Sequence, residues 1–304
     1  MKVVSWNLHA LPPFRSGTRT RLTLAAEQLE LESADAVLLQ EVWTDAAADF
    51  LRGKLAAAGY EVVGSPSGFG RSSGGLLTAI KRAAFGQISR GTFASYRAHG
   101  PALKVWQGDG LANKGFLSVE ARHAVTGRNH TLINTHLQSQ YGFFRTTEGV
   151  LAARDAYLAV RQAQIAQLAQ WTSTVPADRF VLVAGDFNTF PEEWAKIAVP
   201  WQDLTAKHRG ACRCATYLEA TGPLAWLDYV FARQYAGAAP LPATTRLIQN
   251  TSVDCPYSDH HGVVVEVRAD PGGTIPDVTA LLERSYHRRQ LVIELVARLF
   301  HRAL

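Results

Sequence analysis

The sequence has little cysteine and no long apolar run. Its 304 residues include three cysteines, Cys212, Cys214 and Cys255. An odd count and a C-x-C spacing do not match the paired C-x-x-C spacing of a structural zinc site. We therefore expect reduced thiols, with one labile pair as the alternative. Uninterrupted apolar stretches stay below the roughly 18 residues that a membrane span requires, which argues against a transmembrane helix.

The amino terminus carries no visible secretory signal, because Met1 and Lys2 lead directly into a strand-like segment. We expect a cytoplasmic protein, although a processed secreted form would look the same. Hydrophobic residues make up 47% and charged residues 19% of the chain, which is typical of a soluble globular protein. The net charge of +5 suits an anionic substrate or membrane surface but is too small to indicate nucleic acid by itself.

Helical and strand-like segments alternate along the chain, which predicts an α/β architecture. Helical periodicity covers residues 18–33, 44–58 and 147–172. Apolar strand-like runs lie between and after these segments. Two stretches, 91–113 and 187–222, have little regular pattern and are predicted to be mainly loops.

The composition changes after Val267, and we predict two parts, residues 1–268 and residues 269–304. Asp270-Pro271-Gly272-Gly273 is typical of a linker. Residues 277–303 then form a predicted helix with an apolar stripe and several arginines beside it. Such a basic amphipathic helix could contact an anionic membrane, or it could dock on its own domain or on a second copy.

Polar side chains follow or interrupt six of the apolar runs. An apolar strand core gives a carboxylate or imidazole at its end no packing role, so we expect these side chains to point into a cleft. Six strands would then deliver one acidic, histidine-containing site that suits a divalent metal and a phosphate ester. The residues are Asn7, Glu41, His136, Asp186, Asn188, Asp228, Asp259 and His260.

Glu41 is the best metal-ligand candidate, because it closes the run AVLLQ where a charged side chain has no packing role. Mg²⁺ prefers carboxylate oxygens and retains several waters, so one or two acidic ligands are sufficient. The alternative is an exposed glutamate that complements the dipole of the following helix. We expect Mg²⁺ as the cofactor, with Mn²⁺ as the alternative ion.

Asp259 and His260 are adjacent just before a strand, where neighbouring side chains point in opposite directions. We therefore expect Asp259 to face the metal and His260 to face water or phosphate. An imidazole base needs a partner for its second nitrogen. Asp228, inside the apolar run AWLDYVF, could be that partner, since a buried carboxylate is costly unless paired.

Gly185-Asp186-Phe187-Asn188 follows the apolar run FVLVA. Asp186 could orient the attacking water or accept its proton, and Asn188 could donate to a phosphate oxygen. His136, at the end of LINT, could be a second donor to the oxygens of the transition state.

These residues together resemble the endonuclease/exonuclease/phosphatase superfamily over roughly residues 1–268. The resemblance implies a four-layer α/β sandwich and Mg²⁺-dependent phosphoester cleavage. It implies Glu41 as a metal ligand, Asn7 and Asp259 near the metal, and Asp228 with His260 as acid–base groups. The general base is left open. The motifs, in order, are Trp6-Asn7, Leu39 to Trp43, Thr135 to Gln138, Gly185 to Asn188, Leu227 to Tyr229 and Ser258 to His260.

Within the superfamily, Asn113-Lys114-Gly115-Phe116 is similar to a segment of neutral sphingomyelinases in which a lysine reaches the phosphate. The resemblance implies a substrate-binding role for Lys114, whereas the alternative is an ordinary turn lysine. A sphingomyelinase-like phospholipid phosphodiesterase is our first hypothesis, with peripheral membrane contact through the C-terminal helix.

Three other functions remain open. A nuclease would need a basic groove, and the arginines and lysines between residues 71 and 122 form no dense cluster. The sequence resembles phosphoinositide phosphatases less closely, because those enzymes typically have an arginine directly after the late aspartate, where this chain has Tyr229 after Asp228. A binding module with an inactive site is disfavoured, since no core site residue is missing. The sequence does not indicate the oligomeric state.

Overall fold

The computed structural model describes residues 1–12, 16–68, 71–100, 113–140, 157–212, 214–219, 222–234, 240–249 and 257–268. The predicted linker and basic helix of residues 269–304 lie outside the described residues and stay a prediction, as does the predicted boundary at residue 268. The start of the predicted helix at 147–156 also lies outside them. Among the described helices, none has the length and apolar character needed to cross a bilayer.

The first sheet is mixed, with one parallel strand pair at its centre and antiparallel neighbours on both sides. β1 and β2 form the parallel pair. In spatial order its strands are β16 (Ala243–Ile248), β17 (Gly262–Val267), β1 (Lys2–Ala10), β2 (Ala36–Val42), β6 (Leu77–Lys81) and β3 (Tyr60–Gly64).

The second sheet repeats this plan, with β10 and β11 as its parallel pair. β8 (Thr92–Ser95) pairs with β9 beside the main path of the sheet. In spatial order the main strands are β12 (Gln202–Asp203), β15 (Asp228–Arg233), β11 (Phe180–Asp186), β10 (Asn129–His136), β9 (Gly115–His123) and β7 (Phe85–Gly86).

The remaining elements are helices, short hairpins and 3₁₀ turns. Helix α2 begins where the Thr44 side chain accepts a hydrogen bond from the Ala47 amide at 3.2 Å, a capping contact that satisfies a free helical N–H. The helices are α1 (Ser16–Glu32), α2 (Asp45–Ala57), α3 (Leu158–Thr174) and α4 (Ala206–Ala211); the hairpins pair β4 (Ser67–Gly68) with β5 (Arg71–Ser72) and β13 (Tyr217–Glu219) with β14 (Gly222–Ala225); the 3₁₀ turns are Ser73–Gly75 and Glu193–Lys196.

Side-chain alternation along the central strands separates three apolar layers. Val3 of β1 and Leu182 of β11 pack in the same cluster, which lies between the two sheets. Their strand neighbours face outward: Val4 packs with α1 and α2 residues, and Val183 packs with α3 residues such as Ile165. The order is therefore helices, sheet, sheet, helix, and the predicted four-layer α/β sandwich is confirmed.

The inward-facing rows change from apolar to polar at one end of the sandwich. On β1 the row runs Val3, Ser5, Asn7, and on β10 it runs Leu132, Asn134, His136, all of them buried. There Gln40 Nε2 donates to Asn134 Oδ1 at 2.8 Å, which links the two sheets. Asn134 Nδ2 also donates to the Leu39 carbonyl at 2.9 Å. We call the Gln40–Asn134 pair the intersheet amide link.

Some sequence predictions of local structure were wrong. The stretch 91–113 was predicted as irregular, but it contains β8, because its residues 92–95 complete the edge of β9. Strand β16 was not predicted, since its partly exposed sequence ATTRLI lacks a continuous apolar run. Cys212 and Cys214 form a disulfide. The expectation of reduced thiols is therefore wrong for these two residues, and the alternative prediction of one disulfide-bonded pair is correct. Cys255 lies outside the described residues.

Candidate active site

The sheet topology explains why distant polar residues meet at one edge. The parallel strands contribute residues from their carboxyl ends, as with Asn7 on β1 and Asp186 on β11. Antiparallel neighbours contribute residues from their beginnings: Asp228 opens β15 directly opposite Asp186 in the register. His260 likewise lies just before β17, which runs antiparallel to β1. The ends of the parallel strands and the beginnings of their antiparallel neighbours therefore lie at the same edge of the sandwich.

Asn7 joins the acidic residues at the centre of the site. Its Nδ2 donates to Glu41 Oε1 at 3.0 Å and to Asp186 Oδ2 at 3.0 Å. Because Glu41 belongs to one sheet and Asp186 to the other, this amide holds the two sheets' carboxylates together. Asn7 therefore lies beside Glu41, the predicted metal ligand, and its own predicted position near the metal stays a prediction.

Three non-glycine residues of the site have a left-handed backbone. The φ angles are 46° at His9, 57° at Glu41 and 47° at Asn188. This conformation costs an ordinary residue roughly 1–2 kcal/mol. It turns the chain at the strand ends, and β1 pairs with β2 through a register shift between Asn7 and Ala10. Strain of this kind is concentrated at functional sites, where surrounding contacts hold it in place.

His260 and Asp228 form a buried ion pair. His260 Nδ1 lies 2.8 Å from Asp228 Oδ2, and Nε2 faces Asp186 Oδ2 at 3.8 Å. Burial alone would lower the pKa of His260, but the Asp228 charge and its hydrogen bond raise that pKa to about 10. A pKa in this range favours the protonated imidazole at neutral pH. Asp228 is the partner that the sequence predicted.

Asp186 lies at the centre of the buried groups. Its Oδ1 accepts the Asn188 amide at 2.9 Å, and its Oδ2 is 3.4 Å from His136 Nε2. Burial and the neighbouring Asp228 charge raise the pKa of Asp186 to about 7. This carboxylate can therefore take up or release a proton near neutral pH. The Asn188 side chain donates to the Leu137 carbonyl at 3.1 Å.

Lys114 lies within the site and contacts protein groups there. Its Nζ is 3.0 Å from His136 Nε2 and donates to the Leu137 carbonyl at 2.6 Å. Burial and the Lys114 charge lower the pKa of His136 well below its usual range, so this imidazole is neutral. Its other nitrogen, Nδ1, is buried without a hydrogen-bond partner among the described residues. Lys114 and His136 therefore contact each other within the site, and their predicted roles as donors to the substrate stay predictions.

His9 is a site residue that sequence reasoning missed. Its Nδ1 lies 3.1 Å from Asp259 Oδ2 and 3.7 Å from Glu41 Oε2. The hydrogen bond with Asp259 raises the pKa of His9 although burial opposes this. Burial would raise the pKa of Asp259, but the contacts with His9 and the charge of His260 lower it. Asp259 and His260 point to different partners, as alternation along an extended chain requires.

The site can hold a divalent cation. Glu41, His136 and Asp186 offer ligand atoms within 4.8 Å of one another. Asp228 Oδ1 is buried without a partner among the described residues, and several carboxylates crowd a small volume, so a cation would relieve their repulsion. His9 Nδ1 contacts both Glu41 and Asp259, at a position from which a bound cation would contact the same two carboxylates. The carboxylate-rich donor set suits a hard divalent ion.

Some residues that support the site could have been predicted from the alternation of inward-facing and outward-facing side chains along the strands. Asn134 faces inward two positions before His136, and Gln40, which faces inward two positions after the core residue Leu38, directly precedes Glu41. Ser258 Oγ donates to the Asn7 carbonyl at 2.6 Å and accepts the His260 amide at 3.1 Å. Thr216 Oγ1 accepts the Asp228 amide at 3.1 Å. Thr216 follows no strand pattern, so its role was visible only in the structure.

A family model described as the Endonuclease/Exonuclease/phosphatase family matches residues 4–260, most of the chain. The chain belongs to this family. The predicted family is therefore confirmed.

Two curated relatives share moderate sequence similarity with the chain. An inositol phosphosphingolipids phospholipase C of Schizosaccharomyces pombe is 28% identical over 208 residues, which cover 68% of this chain. The sphingomyelin phosphodiesterase 2 of Rattus norvegicus is 24% identical over 287 residues, which cover 87% of this chain. The chain spans 44% and 64% of the lengths of these two relatives.

Among solved structures, D. rerio TDP2 in complex with a single-strand DNA product aligns with a TM-score of 0.67 and 18% identity. The alignment covers 88% of this chain and 99% of that chain. At this level of identity the likeness establishes the common fold.

Proposed function

We propose that this chain is a Mg²⁺-dependent phosphodiesterase that cleaves the headgroup phosphodiester of a phospholipid, with a sphingolipid as the favoured substrate. The observation that carries the reaction is the cluster in which Asn7 joins Glu41 to Asp186 while His260 faces the same aspartate. The sequence similarity to two sphingolipid phosphodiesterases supports the choice of lipid.

In this proposal Glu41 and Asp259 hold Mg²⁺, with Asn7 fixing the position of the Glu41 carboxylate. Both carboxylates belong to the more open part of the site, and both contact His9. When bound, Mg²⁺ would neutralise charge on the non-bridging phosphate oxygens.

Asp186 orients the attacking water and accepts its proton. The Asn7 amide and the Asn188 main-chain N–H fix its two oxygens, so its orientation is set before substrate arrives. Its raised pKa of about 7 matches a group that exchanges a proton near neutral pH.

His260 supplies a charged donor to the leaving oxygen. Asp228 holds the ring through Nδ1 and stabilises the imidazolium, which leaves Nε2 directed at the reacting region beside Asp186. The Lys114–His136 pair adds positive charge next to Asp186 and supports binding of the phosphate.

A substrate panel tests the proposal. Labelled sphingomyelin, other choline and inositol lipids, inositol phosphates, and single- and double-stranded DNA would each be incubated with Mg²⁺, with Mn²⁺ and with chelator. We expect Mg²⁺-dependent release of a phosphorylated headgroup from sphingolipid vesicles. Asp49→Asn, at an exposed helix position, is a matched control for Asp186→Asn.

Faster hydrolysis of DNA than of every lipid would replace the lipid assignment by a nuclease function. Equal activity with chelator and with Mg²⁺ would contradict the metal dependence. The absence of any phosphoester hydrolysis would contradict the proposal as a whole.

A further inference from the structure

A second cluster of metal-ligating side chains lies outside the residues assigned to catalysis. His208, Cys212 and Cys214 offer ligand atoms that lie within 4.8 Å of one another. All three side chains are partly buried, and both cysteines pack against the apolar cluster between the second sheet and α3. None of them contacts the catalytic carboxylates in the contacts described above, so the cluster requires its own explanation.

Local backbone structure brings these three residues together. His208 lies on α4 and Cys212 follows one turn later, where its amide donates to the His208 carbonyl at 2.9 Å. Residues four positions apart share one side of a helical turn. Cys214 then returns toward the helix, with its Sγ 3.7 Å from His208 Nε2.

The spacing suits tetrahedral coordination of Zn²⁺. With Zn–S near 2.3 Å and Zn–N near 2.1 Å, a tetrahedral ion holds its sulfur and nitrogen ligands about 3.6 Å apart. The distance between Cys214 Sγ and His208 Nε2 is 3.7 Å, which is close to this ligand–ligand distance. The Cα atoms of Cys212 and Cys214 are 5.2 Å apart, so side-chain rotation can separate the two sulfurs once they are no longer bonded.

The disulfide and the metal site exclude each other, because a disulfide sulfur has no thiolate charge to give to a metal. We propose that reduction of the Cys212–Cys214 disulfide opens a Zn²⁺ site formed by His208, Cys212 and Cys214. Thiolate and imidazole are ligands that favour Zn²⁺ and disfavour Mg²⁺, so this site would not compete for the catalytic ion.

The redox step needs a dithiol reductant. Thiol–disulfide exchange breaks the Cys212–Cys214 bond, transfers two electrons and two protons to the pair, and leaves the reductant as its own disulfide. Binding of Zn²⁺ then releases the two thiol protons, while neutral His208 contributes a nitrogen lone pair. A fourth coordination position remains for water.

The cluster is connected to the acid–base pair by a short chain segment. Two residues after Cys214, Thr216 Oγ1 accepts the Leu227 amide at 2.8 Å and the Asp228 amide at 3.1 Å. The Thr216 carbonyl also accepts the His261 amide at 2.7 Å. Thr216 therefore lies between the cysteines and the Asp228–His260 pair. The Zn²⁺ site itself does not depend on the proposed catalytic function.

Zinc binding can be compared directly in the two redox states. The full chain would be purified without reductant, and half would be reduced with a dithiol that is then removed anaerobically. Zn²⁺ would be titrated into both samples against a chromogenic chelator. We expect one additional equivalent of Zn²⁺ in the reduced sample. Co²⁺ should give the charge-transfer absorption of thiolate ligands only in that sample.

Single substitutions identify the ligands. Cys212→Ser and Cys214→Ser should each abolish the additional equivalent, and His208→Ala should weaken it at least about tenfold. Cys255→Ser is the matched control and should leave it unchanged. Thermal unfolding would verify that each variant is folded. Equal Zn²⁺ binding in both redox states, absence of the thiolate absorption, or loss of the equivalent in Cys255→Ser would overturn the proposal.

Discussion

The two halves of the active site differ in their exposure to solvent. In the buried half, the side chains of His136, Asp186, Asp228 and His260 are at most 5% exposed. In the open half, the side chains of Glu41, Asp259 and His9 are 17%, 31% and 40% exposed. Burial strengthens electrostatic interactions, so the buried half controls protonation, whereas the open half can admit an ion and a phosphate.

Removal of the charged imidazole from the buried half should have the largest effect on activity. We expect His260→Ala to lower kcat by about 10²–10⁴-fold, the usual range for loss of a positioned acid–base group. The phosphodiesterase rate at saturating Mg²⁺ is the measurement. His99→Ala, at an exposed histidine, is the control, and a rate within twofold of the parent in His260→Ala would contradict the role.

Loss of the carboxylate from the open half should act through the metal. Glu41→Gln should raise the Kd for Mg²⁺ at least about tenfold and lower turnover by about 10²-fold, because one negative ligand is lost. Calorimetric titration of Mg²⁺ measures the first effect independently of activity. Glu61→Gln, which removes an exposed glutamate that pairs with Arg82, should change neither. An unaltered Kd in Glu41→Gln would remove Glu41 from the ligand set.

The intersheet amide link beneath both halves should affect stability. Asn134→Leu removes the acceptor that Gln40 Nε2 has in the other sheet and the side-chain donor to the buried Leu39 and Leu77 carbonyls. We expect a loss of about 1–3 kcal/mol in the free energy of unfolding, measured with urea. Thr131→Val on the same strand is the control, since Thr131 Oγ1 is buried without a described partner. Equal stability of the two variants would show that the link is energetically unimportant.

His9 should have the smallest effect, because it is the most exposed member of the open half. We expect His9→Ala to change kcat/KM by about tenfold or less and to bind Mg²⁺ and Mn²⁺ no more weakly than the parent, because the imidazole occupies the same two carboxylates as the ion. Parallel titrations with the two ions measure the affinities. A loss as large as that of Glu41→Gln would make His9 an essential ligand and weaken the distinction between the halves.

The strand ends made much of the site predictable. Five site residues lie where an apolar run begins or ends, and the strand order brings these positions to one edge of the sandwich. They are Asn7, Glu41, His136, Asp186 and His260. His9 was not predictable in this way, because its position depends on a left-handed backbone beyond Asn7. The contact of Lys114 with His136 was also hidden, since it depends on the register of β9 and β10, which places Phe116 opposite Thr135.

Weaker patterns limited the prediction of the fold. Strand β16 carries threonine and arginine and is the last strand of the first sheet among the described residues, and its apolar pattern is weak. The disulfide between Cys212 and Cys214 was only the alternative prediction, and the sequence spacing did not indicate that Cys214 lies next to His208 of α4. The roles assigned to the site residues stay predictions until the variants are measured.

The amide pair that joins the two sheets has a consequence for how this scaffold can vary. Most of the interface around it is hydrocarbon, which resists separation but has little preference for one lateral offset over another. A directional bond at the catalytic end fixes that offset where an error would matter most. Loops that meet different substrates can therefore change in length or sequence while the two sets of reacting groups keep their alignment.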